Sequence, residues 1–272
     1  FYAPLARWLN ERIKNGGSGT FVLGINGAQG TGKTTLSNFL SEFLRHDYNM
    51  SVAELSIDDI YLTRAERMDL AERVHPLLAT RGVPGTHDID LGKAVIDRLC
   101  ALAEGETMSL PRFDKSVDDR SPAGAWPEVT GPIDLIVLEG WCVGSTAQPV
   151  GELTAPINAL EAEEDSDGAW RSYVNDQLVT VYRELFSKID ALVFLEAPGF
   201  DAIYRWRLDQ ERKLSASVGG DGTHVMDEAG LKRFLQHYER ITRHNLVSLR
   251  ARADVVLALN EDHAVTDATY AD

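Results

Sequence analysis

The residues best suited to chemistry run Gly27-Ala28-Gln29-Gly30-Thr31-Gly32-Lys33-Thr34-Thr35. This G-x-x-x-x-G-K-T spacing lies between an apolar β-type run, Phe21 to Ile25, and a helix-type run, Leu36 to Arg45, the setting a phosphate-binding loop requires. Glycines let the backbone curl until successive N–H groups point into one concavity, and the next helix adds its positive dipole end. Lys33 is spaced to reach β- and γ-phosphates and the Thr34 hydroxyl to ligate Mg²⁺, so a nucleoside triphosphate is the expected ligand. Two further polar clusters close apolar runs: Asp58-Asp59 after Ser51 to Ile57, and Glu139-Gly140 after Ile133 to Leu138. Phosphoryl transfer needs a metal on the phosphate oxygens, cations over the moving group and a carboxylate to accept the acceptor's hydroxyl proton. Asp58 is the candidate base, Glu139 the candidate metal-side carboxylate, and Thr34, Asp58 and Glu139 the candidate metal set. Asp59 reads as structural, and the plain alternative for Asp58 is a helix cap or turn residue.

These residues need strands and helices to hold them. Apolar spacing at Leu5, Trp8, Leu9 and Ile13 predicts an N-terminal helix, within about residues 1–18, before the glycine-rich stretch that precedes the first strand. Strands are expected at 21–25, 51–57, 133–138, 191–195 and 254–259, with helical spacing between them at 90–103, 169–189, 201–214 and 227–252. A short strand is expected at Met108 to Leu110. That alternation predicts an α/β, doubly wound, five-stranded parallel sheet whose ligand crevice lies at the carboxyl ends of the strands. The segment of about 144–168, with Pro149, Pro156 and acidic residues, reads as a surface excursion without chemistry. Arg205 and Arg207 lie on a basic helix-type stretch ahead of Gly219-Gly220-Asp221-Gly222, a break expected to be mobile. About 200–226 therefore reads as a helical lid whose arginines face the transferring phosphate. The plain alternative is a solvated helix with local pairs such as Asp209 with Lys213.

At 272 residues one domain is favoured. No apolar run reaches the roughly 18 residues of a membrane span, and 27 basic against 42 acidic residues leave a net charge of −15, which disfavours nucleic acid and anionic membrane as partners. An anionic ligand must then meet a local basic cluster. Cys100 and Cys142 lack framework or metal spacing, which fits a reducing, cytoplasmic setting. No Asn-Lys-x-Asp guanine signature occurs, and the Asp-x-x-Gly matches at Asp165 and Asp227 do not end core strands, so a GTPase is disfavoured. The partner expected is a small molecule, and the protein a monomer or small homo-oligomer.

Four stretches join the phosphate loop in one pattern: Ser56-Ile57-Asp58-Asp59-Ile60-Tyr61-Leu62-Thr63, His75 to Asp88 with Arg81-Gly82-Val83-Pro84-Gly85-Thr86-His87-Asp88, Pro111-Arg112-Phe113-Asp114-Lys115-Ser116 with Asp119-Arg120, and Leu138-Glu139-Gly140-Trp141. Together they resemble the D-glycerate 3-kinase family of P-loop kinases and, more distantly, uridine kinase, phosphoribulokinase and bacterial-type pantothenate kinase. The resemblance implies a five-stranded P-loop kinase sheet, ATP and Mg²⁺ as cofactors, and phosphorylation of a small hydroxylated acceptor. It matches Asp58 to the family's general base and Glu139 to the acidic residue ending the third strand. Ile60 departs from the family's usual Phe. Residues of these stretches, Tyr61, Arg81, His87, Asp88, Phe113, Lys115 and Arg120, with Asp58, are the candidate acceptor contacts. Arg81, His87, Arg112, Lys115 and Arg120 supply cations enough to hold a carboxylate, with a bidentate arginine the natural grip. D-glycerate is the favoured acceptor. A nucleoside, a sugar or a pantothenate-like acceptor, or a regulatory ATPase with no acceptor, are the alternatives.

Overall fold

A computed structural model describes residues 1–17, 19–217 and 227–271. In chain order its elements are α1 (Tyr2–Asn15), β1 (Phe21–Gly27), α2 (Lys33–Tyr48), β2 (Val52–Ser56), α3 (Arg64–Arg73), α4 (Ile89–Cys100), β3 (Thr107–Ser109), β4 (Phe113–Asp114), β5 (Asp119–Arg120) and β6 (Glu128–Thr130). Then follow β7 (Leu135–Gly140), α5 (Ala159–Glu164), α6 (Ala169–Val179), α7 (Val181–Phe186), β8 (Ala191–Glu196), α8 (Phe200–Ser217), α9 (Glu228–Ser248), β9 (Val255–Leu259) and β10 (Val265–Tyr270).

The main sheet has the order β10-β9-β8-β1-β7-β2. β1 runs parallel to both β7 and β8, β2 to β7 and β9 to β8, which are the five parallel strands expected. The sixth strand, β10, adds an antiparallel edge that the apolar spacing did not reveal. Its Val-Thr-Asp-Ala-Thr-Tyr alternates only weakly and none of it is fully buried. The predicted short strand at Met108 pairs with β6 in a separate two-stranded ribbon, and β4 with β5 forms a small hairpin.

Strand side chains alternate between two cores. Leu23, Ile25, Leu135, Val137, Val193 and Leu195 pack under α1, α2 and α8, while Val22, Leu55, Ile136, Leu138 and Phe194 pack under α4, α6, α7 and α9. α2 buries Leu36, Leu40 and Leu44 at helical spacing with no exposure. Each fully buried Leu contributes about 1.5–3 kcal/mol, and three on one stripe fix the helix that begins at Lys33.

Two expectations about elements change. The helix expected over 169–189 is two, broken at Thr180 (φ −104°, ψ −103°), whose hydroxyl donates back to the Asp176 carbonyl at 2.8 Å. The segment of 144–168 is no loose excursion. Glu161 is fully buried and accepts from Arg240 of α9 at 2.7 and 2.6 Å, and Asp165 is buried against Arg171 of α6 at 2.8 Å. Acidic residues in a run read as solvated until their arginine partners, far off in sequence, are placed. The Gly219 to Gly222 break and the end of the expected lid lie outside the described residues, among which no helix is long and apolar enough to cross a membrane.

Candidate active site

β1 is flanked on one side by β7 and on the other by β8, so the direction of winding reverses beside it, and its carboxyl end opens on the crevice typical of such a switch point. The phosphate loop leaves that end. Gly30 (φ 82°) and Gly32 (φ 90°) take left-handed backbone that only glycine adopts cheaply, and Gly32 caps α2. Thr31 is buried and donates to the Ala28 carbonyl at 2.9 Å, bracing the loop from inside. Lys33 Nζ donates to the same carbonyl at 3.1 Å. Thr34 and Thr35 stand exposed on the first turn of α2.

The registers Ser56 with Glu139 and Ile25 with Glu139 bring the ends of β2, β7 and β1 together. A short 3₁₀ turn, Ile57–Ile60, follows β2, capped by Ser56, with Asp59 accepting from the Ser56 N–H at 3.3 Å. Asp59 also accepts from Arg112 at 3.0 Å, so this carboxylate holds backbone and hairpin together. With the cap supplied by its neighbour, Asp58 points its carboxylate at the crevice. Oδ1 accepts from the Tyr61 hydroxyl at 2.7 Å and Oδ2 from Lys115 Nζ at 2.5 Å. Burial pushes the Asp58 carboxyl up, but the Lys115 charge and hydrogen bond and the Tyr61 hydroxyl outweigh it and hold it below its usual value. Burial pushes Glu139 up against the opposing Lys33, and pushes Lys33 down against Glu139 and Asp58.

These groups line a crevice of about 1100 Å³. Its lining includes Gln29, Gly30, Lys33 and Thr34 of the phosphate loop and α2, Asp58, Tyr61, Glu139 and Trp141 from the strand ends, and Arg64, Arg81, Lys115 and Asp118. Arg207, Gln210 and Glu211 of α8 and Phe234 and Tyr238 of α9 complete its lining. The donor set suits a hard cation: Thr34, Asp58 and Glu139 offer oxygen only, and among the described residues no cluster of three or more His, Cys, Asp or Glu forms a cage. Mg²⁺ is commonly held by one or two carboxylates with phosphate oxygens and water, so the residues fit it.

Several sequence candidates sit elsewhere. His87 is buried, stacks on Tyr61 at 4.6 Å and hydrogen-bonds Tyr182 Oη at 2.5 Å. Burial, against the pull of Asp58, pushes its pKa down to about 3, so it offers no cation to a carboxylate at neutral pH. Arg120 donates to the Tyr61 carbonyl at 2.9 Å and to Asp88 at 3.1 Å, Asp88 also caps α4, and Phe113 meets Tyr61 edge-on at 5.2 Å. His87, Asp88, Phe113 and Arg120 therefore build the support behind Tyr61 rather than the crevice surface. Arg205 turns away to Glu261, while Arg207 faces the crevice, paired to Glu211 at 2.5 Å. Ile60 is fully buried against the space beside Gly92, so the departure from the family pattern lies in the core.

Arg81 and Lys115, both sequence candidates, line the crevice, and two further arginines there carried no sequence signal. Arg64 and Arg67 sit on α3 in Arg-Ala-Glu-Arg, which reads as a solvated charged face. Arg67 is 1% exposed and donates to the Leu62, Ala79 and Asp118 carbonyls, whereas no carboxylate pairs with the Arg64 guanidinium among the described residues. Arg81 is held by Asp118 and lies over the Phe113 ring. Its backbone is fixed by Gly82 (φ 134°), where an added Cβ would lie 2.1 Å from the Tyr238 hydroxyl, and Trp141 Nε1 donates to the Gly82 carbonyl at 2.8 Å.

A phosphate loop leaving the central strand of a parallel sheet, with carboxylates at neighbouring strand ends facing it across one cleft, is the construction of P-loop kinases. No protein-family model matches the chain. A Schizosaccharomyces pombe protein described as the uncharacterized kinase mug58 is 34% identical over 225 residues, 80% of this chain and 78% of that protein. The chloroplastic D-glycerate 3-kinase of Arabidopsis thaliana is 30% identical over 283 residues, covering 96% of this chain, which spans 59% of that longer protein. In fold, a D-glycerate 3-kinase from Cryptococcus neoformans var. grubii superposes with a TM-score of 0.82 at 23% identity, covering 99% of this chain and 98% of the other. The chain belongs to the same family of kinases as the mug58 protein, built on the P-loop kinase fold.

Proposed function

We propose that this kinase transfers the γ-phosphoryl group of ATP to a hydroxyl of a small hydroxy acid, D-glycerate first among them, with Asp58 as the general base. The observation that carries the reading is the crevice itself, which the Asp58 carboxylate shares with the phosphate loop and with Arg64, Arg81 and Lys115. Gly27 to Thr35 would hold the phosphates through backbone N–H groups, with Lys33 on the β- and γ-oxygens and Arg207 above them. Mg²⁺ held by Thr34 and Glu139 would neutralise phosphate charge, because both Asp58 oxygens are already engaged by Tyr61 and Lys115. The acceptor oxygen attacks the γ-phosphorus as its proton passes to Asp58. The bond to the β–γ bridging oxygen breaks and ADP leaves. Arg64, whose guanidinium pairs with no carboxylate among the described residues, is the natural fork for an acceptor carboxylate, with Arg81 lining the same crevice.

In this reading residues 1–272 act as one kinase unit covered by α8. A reducing compartment such as the cytoplasm suits the free thiols Cys100 and Cys142, and the relative from Arabidopsis is chloroplastic. The test is a coupled ADP-release assay with Mg²⁺-ATP against D-glycerate, uridine, pantothenate, ribulose 5-phosphate and sugars. Selective stimulation by D-glycerate supports the reading. Equal rates with and without every acceptor would replace it with an ATPase that transfers phosphate to water.

A further inference from the structure

Both oxygens of the candidate base are engaged, Oδ1 by the Tyr61 hydroxyl and Oδ2 by the Lys115 ammonium. The two partners differ in kind. Tyr61 is buried and fixed from behind by His87, Phe113 and Arg120. Lys115 stands in the turn between β4 and β5, with its side chain 58% exposed. The foot of that hairpin is anchored through Arg112 to Asp59 and through Arg120 to Asp88, while residues 114–117 at its tip are exposed. A flexible lysine on an anchored hairpin can exchange one anion for another without moving the backbone, and an ion pair open to solvent is weak enough to exchange. The carboxylate it holds cannot give up the pair to a neutral molecule at the same cost. An acceptor that brings its own anion supplies the replacement.

Resting on the kinase reading above, we propose that Lys115 is a specificity-determining, positioning residue. It keeps Asp58 paired until an acceptor with an anionic group beside its hydroxyl draws the ammonium away and frees the carboxylate to take the hydroxyl proton. Neutral alcohols and water leave the pair closed, so they are discriminated in kcat and not only in KM. The same device restrains ATP hydrolysis, in which water attacks the γ-phosphorus, loses its proton to Asp58 and releases ADP and phosphate.

The experiment compares wild type, Lys115→Met and Lys115→Arg for ADP release from Mg²⁺-ATP without acceptor, with D-glycerate and with glycerol, its neutral analogue. ATP binding and thermal melting serve as folding controls. In Lys115→Met, acceptor-free hydrolysis and glycerol kcat should rise about tenfold, a part of what a freed general base can supply. The KM for D-glycerate should rise and its kcat advantage over glycerol shrink. Lys115→Arg, which keeps a cation within reach, should restore the low acceptor-free rate. An acceptor-free rate in Lys115→Met at or below wild type, with ATP binding intact, overturns the proposal and leaves Lys115 a simple binding contact. If D-glycerate fails to stimulate wild type, the acceptor assignment falls, and the acceptor-free rate of Lys115→Met still decides the role of Lys115.

Discussion

At the residue scale, His87 is the most consequential difference between a sequence pattern and its physical setting. A histidine in Thr-His-Asp, in a glycine-rich stretch, reads as an exposed ligand, but nothing in its neighbours announces Tyr61 and Tyr182, which enclose it. Its pKa is lowered from 6.5 to about 3, so between those values the unfolded chain binds a proton that the folded one excludes. Stability from this group is therefore complete above about pH 6.5 and declines as pH falls toward 3. Chemical denaturation of His87→Gln across that range should show a shallower loss of stability than wild type. Asp58 was legible because a carboxylate directly after a strand in this fold faces the crevice. Replacing it with Asn should lower kcat roughly 10²- to 10⁴-fold in ADP release while isothermal titration shows ATP binding preserved. Arg64 was not legible, since helical arginines with acidic neighbours usually lie in water. Only the placement of α3 on the crevice that the phosphate loop also lines gives it a role.

At the element scale, α9 does two jobs that periodicity alone could not separate. Its inward face brings Phe234 and Tyr238 to the crevice, and two residues past Tyr238 Arg240 reaches into the segment of 144–168. Breaking a buried pair by removing one partner costs about 3–5 kcal/mol, whereas replacing both with apolar groups of similar volume is often neutral or stabilising. Arg240→Met should thus lower stability by several kcal/mol in urea unfolding, and Arg240→Met combined with Glu161→Leu should recover most of the loss. Gly82 marks a second junction between elements. In Gly82→Ala the new Cβ meets the Tyr238 hydroxyl at 2.1 Å on left-handed backbone, and a loss of about 2–4 kcal/mol is expected from the same measurement. Long-range fits of this kind leave in the sequence only a glycine. Turn chemistry explains such a glycine equally well until the distant tyrosine is in place.

At the scale of the whole molecule, the five parallel strands and their helices were readable because buried strands are near-continuous apolar runs and their helices carry clear stripes. β10 was not, since an edge strand half in water needs little apolar residue at all. The crevice draws on elements from the carboxyl end of β1 to α9, so nucleotide binding should stabilise the fold as a unit. Mg²⁺-ATP at a hundredfold excess over Kd should add about 2.7 kcal/mol to unfolding, and Lys33→Met should lose most of that gain in a melting assay. The Arg81 to His87 segment is tied by Thr86 to Gly82, by Tyr182 to Gly85 and by Trp141 to the Gly82 carbonyl, all hydrogen bonds formed as the chain folds. The segment is thus held by the chain's own groups. In calorimetry, association against that wall should therefore carry little conformational entropy penalty, and its heat-capacity change should match only the surface the ligand itself buries.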